Sequence, residues 1–171
     1  MKVCDKLLDA DRDFLVEYGP INIVAFGDSA THGAFEDGAI DYDCVYHRLL
    51  ARKLSKIRNY VPINVINAGI GGLTAKNSLA RMESQVLSHS PDLVIVAFGL
   101  NDINGTLEDY LNSLRIIFER CQKREIDVIF MTPNMLNTYV NDKVPNDHVE
   151  YASKLAEYQN NGRMDLYMQS A

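Results

Sequence analysis

Four short apolar runs, separated by stretches with helical periodicity, constrain the fold of this 171-residue chain most strongly. They read INIVAF (21–26), INVI (63–66), DLVIVAF (92–98) and DVIFM (127–131). Each run is continuous rather than alternating and is rich in Ile and Val, which is typical of strands buried on both faces of a parallel sheet. The runs therefore predict a parallel sheet whose two faces are both covered.

Between the runs, apolar residues recur three and four positions apart, which predicts amphipathic helices. The clearest of these segments are 42–57, 74–88 and 106–121, the last opening with Thr106 and Asp109 as a capping pair. Weaker patterns predict helices over 5–18, over 147–159 and from Arg163 onward. Strand–helix–strand alternation predicts one α/β domain over 1–171, a three-layer α/β/α sandwich around a central parallel sheet.

Composition excludes several classes of function. The net charge is −6 and no Lys/Arg cluster occurs, which argues against a nucleic-acid partner. The first residues are too charged for a signal-peptide core, and no apolar run approaches the roughly 20 residues that cross a bilayer. Three widely spaced cysteines (Cys4, Cys44 and Cys121) and four histidines show no zinc-ligand spacing. We therefore expect reduced thiols, a cytoplasmic protein, no membrane insertion, and neither metal nor organic cofactor.

Functional groups of such sheets gather beyond the carboxyl ends of the strands. The first three runs are followed by GDSATHG (27–33), NAGIGGLT (67–74) and GLND (99–102). Acyl transfer requires a nucleophile and donors for the oxyanion. Ser29 follows a buried strand and a glycine, so a tight turn can expose its hydroxyl as the nucleophile. The N–H groups of Gly72 and Ser29 and the side-chain amide of Asn101 can form the oxyanion hole.

These three blocks, in this order and over about 21–134, resemble the first three blocks of the SGNH (GDSL) hydrolase family. The resemblance implies a flavodoxin-like sandwich and ester cleavage through an acyl-enzyme on Ser29, with a Ser–His–Asp arrangement. It also implies an oxyanion hole from Ser29, Gly72 and Asn101, with Gly71 left open as the alternative glycine donor. The expected partner is a small-molecule ester substrate.

The family's fourth block, a D-x-x-H that supplies the base, does not occur in this sequence. We expect the chain to stop before that segment, and the fourth run to lie at an exposed sheet edge that favours homo-oligomers. His32 and His148 are predicted to contact substrate, since Asp147 is too near His148 in the chain for triad geometry. His47 and His89 are predicted to be structural or solvated.

The acidic residues in the blocks are predicted to be structural: Asp28 braces its loop and Asp102 caps a turn or helix. Thr31 and Thr74 are predicted to be caps. The polarity of segments 34–41 and 134–147 favours a small acyl ester of a polar alcohol or sugar. A nucleotide- or flavin-binding domain requires a glycine-rich phosphate loop, which 27–33 does not contain. A non-catalytic ester- or glycan-binding module without the histidine remains open.

Overall fold

The computed structural model describes residues 3–35 and 38–133. Its sheet contains β1 (Ile21–Gly27), β2 (Ile63–Gly69), β3 (Leu93–Ala97) and β4 (Asp127–Phe130). All pairings are parallel and the strand order is β2-β1-β3-β4. This order is that of a flavodoxin-like sheet and confirms the predicted α/β architecture.

Helices connect the strands. They are α1 (Val3–Asp9), α2 (Arg12–Tyr18), α3 (Ser29–His32), α4 (Tyr46–Ile57), α5 (Ala75–Ser78), α6 (Met82–Gln85) and α7 (Leu107–Gln122), with 3-10 turns at Leu79–Arg81, Leu87–His89 and Asp102–Asn104. Within the described ranges, no helix is both long and apolar enough to cross a membrane. The helices predicted over 147–159 and from Arg163 lie outside the described residues.

Two of the predicted helices are each divided. The segment 5–18 forms α1 and α2 because the Asp11 carboxylate accepts a hydrogen bond from the Phe14 N–H at 2.8 Å and starts a new helix. The segment 74–88 alternates α and 3-10 turns, and its Ser84 and Ser88 hydroxyls donate to backbone carbonyls three and four residues earlier. The prediction for 106–121 is confirmed by α7, whose cap Thr106 accepts from the Asp109 N–H at 3.1 Å.

Side chains alternate along the strands and build one core on each face of the sheet. Val24 and Phe26 of β1 pack on the side covered by α5, α6 and α7. Ile21 and Ile23 pack on the side covered by α1, α2 and α4. The described chain is therefore an α/β/α sandwich, as the sequence predicts.

A buried ion pair holds the amino-terminal end of the sheet. Lys6 Nζ lies 2.8 Å from the Asp92 carboxylate and also donates to the carbonyls of Tyr18 and Pro20. Asp92 in turn accepts a hydrogen bond from the Asn22 N–H at 2.9 Å. Because each charge has several partners, the pair anchors α1 and α2 without leaving buried charge unsatisfied. The loops that follow β1, β2 and β3 lie at the opposite, carboxyl end of the sheet.

Candidate active site

Ser29 lies where the central strand turns into a short helix. β1 ends at Gly27, and the Asp28 carboxylate accepts a hydrogen bond from the Ala30 N–H at 3.1 Å, which confirms its predicted bracing role. Ser29 is the first residue of α3 and is partly exposed. No described residue forms a hydrogen bond with its hydroxyl. The strand–turn–helix geometry thus places a partly exposed serine whose hydroxyl has no hydrogen-bond partner within 3–35 and 38–133.

The first turns of α4 hold α3 in place through Thr31. The Thr31 hydroxyl lies 2.9 Å from the Tyr46 hydroxyl, and His47 Nε2 donates to the Thr31 carbonyl at 3.1 Å. The prediction that Thr31 is a cap is therefore wrong: it is buried inside α3. Burial lowers the pKa of His47 and raises that of Tyr46 to about 12, so both side chains stay neutral. His47 is structural, as predicted.

The other end of α3 rests directly on β2. The Asn67 side-chain amide donates to the His32 carbonyl at 3.1 Å. A Cβ at Gly69 would lie 2.3 Å from the His32 nitrogen, so only glycine permits this approach. This close contact between α3 and β2 brings Ser29, the first residue of α3, beside the loop that follows β2.

That loop makes a tight turn beside Ser29. The Leu73 N–H bonds to the Ile70 carbonyl at 3.4 Å, and Gly72 has φ +78°, which suits the third position of a type II turn. A Cβ built on Gly71 would lie 3.7 Å from Ser29 Cβ and 4.0 Å from His32 Nδ1. The Gly71–Gly72 turn and His32 therefore border one space next to the nucleophile. Among the described residues, nothing accepts a hydrogen bond from the Gly72 N–H.

The loop after β3 is fastened to the same turn. Asn101 Nδ2 donates to the Leu73 carbonyl at 3.1 Å, which orients the amide and leaves its second hydrogen for another acceptor. Asp102 Oδ1 accepts from the Ala75 N–H at 3.0 Å, and Thr74 caps α5 by accepting from the Asn77 N–H at 3.1 Å. Both residues accept from N–H groups of α5, so the predicted capping roles of Asp102 and Thr74 are confirmed.

Two buried carboxyl groups flank these loops, and burial makes both harder to ionise. Burial, with the charge of Asp28 adding to it, raises the pKa of Asp102 to about 6. Asp102 Oδ2 is buried without a partner among the described residues. Burial also raises the pKa of Asp28, which lines a cavity of about 190 Å³ with Ala30, Tyr46 and Leu100. At both positions the ionised carboxylate is therefore less favourable than it would be in water.

The structure brings Ser29, Gly72, Asn101 and His32 to one edge of the sheet, although their roles in a reaction remain predictions. His148 lies outside the described residues. Sequence reasoning missed the residues that hold the loops, chiefly Asn67, Tyr46 and Arg81. No local signal marks them, because their partners are backbone carbonyls or hydroxyls distant in the chain.

The fold and the three loops at its edge are those expected of a GDSL-type hydrolase, and comparison with known families gives the same class. The profile of the GDSL-like Lipase/Acylhydrolase family matches residues 25–163. The chain belongs to this family, which confirms the resemblance drawn from the three sequence blocks.

Individual relatives are more distant. The chain is 30% identical to the "Uncharacterized lipoprotein YqeF" of Bacillus subtilis (strain 168) over 119 residues, 65% of this chain and 47% of that protein. It is 30% identical to an acetylxylan esterase of Geobacillus stearothermophilus over 83 residues, 42% of this chain and 38% of that protein. The chain thus spans less than half the length of these two curated relatives. A crystal structure of a lipase/acylhydrolase from Enterococcus faecalis matches with TM-score 0.58 at 27% identity, covering 87% of this chain and 77% of that one.

Proposed function

We propose that this chain carries the nucleophile and oxyanion hole of a serine esterase that acts on small-acyl esters of polar alcohols or sugars. One observation carries the proposal. Loops from three neighbouring strands meet around Ser29, with the Gly71–Gly72 turn beside it and Asn101 hydrogen-bonded to that turn, and no described residue bonds to the Ser29 hydroxyl. A nucleophile and oxyanion donors on separate loops are what acyl transfer requires.

The reaction follows from these positions. Ser29 Oγ attacks the ester carbonyl carbon, its proton passes to a base, and the alcohol leaves with a proton as the C–O bond breaks. Water then attacks the acyl-enzyme, which releases the acid and restores the hydroxyl. The negative oxygen formed in each step accepts hydrogen bonds from the N–H groups of Ser29 and Gly72 and from the Asn101 amide. Loss of one such donor typically lowers kcat by about 10²–10³.

The base is the part of this scheme that the described residues do not supply. His32 lies one helical turn after Ser29, but no hydrogen bond joins it to the Ser29 hydroxyl. We assign His32 to substrate contact, because its Nδ1 borders the space beside Gly71. Because no base for Ser29 lies among the described residues, a second candidate function is a non-catalytic module that binds esters or glycans on the same fold.

The substrate class rests on two supports. Tyr42 stacks on His32 at a ring-centroid distance of 6.0 Å, so an aromatic ring lies next to the side chain that borders the space beside Ser29. The sequence of the preceding segment, 34–41, is polar, with Glu36, Asp37 and Asp41. One relative is named acetylxylan esterase, and this name specifies an acetyl group on the polysaccharide xylan. Both favour short acyl groups on polar alcohols over long-chain lipids.

The experiment measures hydrolysis of p-nitrophenyl acetate by the chain, by its Ser29→Ala and Asn101→Ala variants and, where the gene encodes residues after Ala171, by a version that includes them. We expect Ser29-dependent hydrolysis in the form that contains the base, with kcat about 10²-fold lower for Asn101→Ala. If neither wild-type form turns over any ester but both bind acetylated sugars, the binding-module function takes its place. Hydrolysis that survives Ser29→Ala would overturn the assignment of the nucleophile.

A series of p-nitrophenyl esters from two to twelve carbons tests the substrate class. We expect kcat/KM to be highest for the acetyl ester and to fall as the chain lengthens. A clear preference for long chains would contradict the small-acyl assignment while leaving the esterase assignment intact.

A further inference from the structure

Arg81 ends the 3-10 turn after α5, and neither the sequence blocks nor the proposed reaction uses it. Its guanidinium makes hydrogen bonds in several directions. Nη1 donates to the Ala68 carbonyl at 2.6 Å and to Gln85 Oε1 at 3.1 Å. Nη2 donates to the Gly27 carbonyl at 3.3 Å and to the Ser78 hydroxyl at 3.2 Å. One cationic side chain thus reaches two strand ends.

Those two carbonyls lie immediately before the two loops of the site. Gly27 closes β1 and precedes Ser29 by two residues, whereas Ala68 lies near the end of β2, ahead of the Gly71–Gly72 turn. The Ile70 N–H also donates to the Gly27 carbonyl, at 3.2 Å. The guanidinium therefore joins the segment that carries the nucleophile to the segment that carries the glycine donor.

The surroundings of Arg81 are unusual for a residue that only fills space. The guanidinium carbon lies 4.7 Å from the centre of the Phe26 ring, and Nε is buried without a partner among the described residues. Removing a cation from water carries a cost that a hydrophobic residue would avoid. The planar guanidinium presents its donors in a fixed fork, whereas the ammonium of lysine is a single point donor at the end of a flexible chain.

We propose that Arg81 is a positioning residue that fixes the spacing between the Ser29 nucleophile and the Gly72 oxyanion donor. The inference rests on the proposed function and adds to it a residue that touches neither substrate nor reacting atoms. Displacement of catalytic groups by about 1 Å can cost about 10²-fold in rate. Loss of Arg81 should therefore lower kcat far more than it changes KM.

The test compares Arg81→Met and Arg81→Lys with a matched control, Arg120→Met. Arg120 is also part-buried and donates to a backbone carbonyl, that of Leu79 at 3.0 Å, but among the described residues it has no hydrogen bond to either site loop. With p-nitrophenyl acetate we expect Arg81→Met to lose about 10- to 100-fold in kcat with KM within about 3-fold. Arg81→Lys should lose less, and added guanidinium should restore part of the Arg81→Met rate. Arg120→Met should keep its kcat even if its Tm falls.

A second measurement does not depend on turnover. Hydrogen–deuterium exchange of peptides covering 27–33 and 68–74 should be faster in Arg81→Met than in wild type, and unchanged in Arg120→Met. Unchanged exchange and kcat, or equal effects of both arginines, would overturn the positioning role. If the wild type shows no Ser29-dependent hydrolysis, the proposed function fails, and the exchange data alone then decide whether Arg81 holds the two loops. Arg81→Lys serves for both measurements if Arg81→Met does not fold.

Discussion

Gly71 and Gly72 are neighbours in one turn, but the structure gives them different constraints. Gly72 has a left-handed backbone conformation, whereas Gly71 does not. Gly71 has space for a Cβ, at ordinary contact distance from Ser29 and His32. At the residue scale, Gly72→Ala therefore tests the backbone conformation of the turn, whereas Gly71→Ala tests the space available to substrate.

We expect Gly72→Ala to lower the free energy of unfolding by about 1 kcal/mol, because alanine resists this conformation. Its kcat should also fall by about 10-fold or more, since the turn must shift the donor N–H. Gly71→Ala should keep wild-type stability and kcat but raise KM, because its methyl group narrows the space beside Ser29. Steady-state kinetics and urea unfolding of both variants check this. The reverse pattern would identify Gly71 as the donor.

Asp102 provides a prediction about pH. Folding raises its pKa from 3.8 to about 6, so the folded state holds a proton between about pH 4 and 6 that the unfolded state releases. The cost of burying the charged carboxylate is therefore present above pH 6 and is relieved as the pH falls. Asp102→Asn should gain stability relative to wild type on going from pH 4.5 to pH 8, by an amount on the order of 2 kcal/mol.

Urea unfolding of wild type and Asp102→Asn at the two pH values measures this difference. The exposed Asp5→Asn variant controls for the general effect of removing one negative charge. An Asp102→Asn effect that is the same at both pH values would show that folding does not perturb this carboxyl.

Site residues could be predicted from the sequence where a chemically suitable side chain directly follows a predicted strand. Ser29 and Asn101 are polar groups directly after buried apolar runs, so the parallel-sheet pattern alone predicts that they lie at one edge. The sequence could not reveal Arg81, because its acceptors are backbone carbonyls 13 and 54 residues away. Thr31 was misassigned for a similar reason: its partner Tyr46 lies 15 residues later.

At the scale of elements, α3 is too short to be stable alone. A single turn of helix gains little from its own hydrogen bonds, so neighbouring elements must hold it. Tyr46 and His47 of α4 do so through Thr31, and Asn67 of β2 does so through the His32 carbonyl. The position of the nucleophile therefore depends on contacts that α3 makes with α4 and β2.

The hydroxyl pair between Thr31 and Tyr46 tests this dependence. We expect Tyr46→Phe and Thr31→Val each to cost about 1–3 kcal/mol, since each leaves the other hydroxyl, buried in Thr31 and partly buried in Tyr46, without its partner. The double variant should cost less than the sum, because both unpaired groups are then gone. Urea unfolding of the four proteins gives the coupling energy. Strict additivity would mean that this contact does not hold the two helices together.

Strands were predicted more accurately than helix boundaries, for a physical reason. A continuous run of Ile and Val with few polar neighbours fits little other than a strand covered on both faces. Helix ends depend on individual side-chain hydrogen bonds, such as the cap by Asp11 at the start of α2. Asp41 likewise accepts from the Asp43 N–H in an Asx turn, and α4 begins only at Tyr46 instead of at the predicted residue 42. Hydrophobic periodicity does not report those bonds.

At the scale of the molecule, β4 lies at one edge of the described sheet and bonds only to β3 within it. Its Ile129 side chain is 46% exposed. Edge strands with exposed apolar residues favour pairing with a second chain. The sequence-based expectation of a homo-oligomer through this edge therefore stays a prediction.

Light scattering after size-exclusion chromatography tests it, over a concentration series. We expect self-association that weakens in Ile129→Lys, because a charge on an edge strand opposes strand addition. Leu49→Lys, at an apolar position 43% exposed on α4, is the matched control and should leave association unchanged. A monomer at every concentration would contradict the prediction.

The strand order also has a kinetic consequence. β1 lies between β2 and β3, so its Asn22 side chain meets Asn64, 42 residues later, and its backbone N–H meets Asp92, 70 residues later. Each of these pairings must close a long loop before burial of the sheet compensates for the lost chain entropy. High contact order of this kind slows folding. The strand that leads into the nucleophile helix thus cannot take its final place until β2 and β3 have both been synthesised and have docked on either side of it.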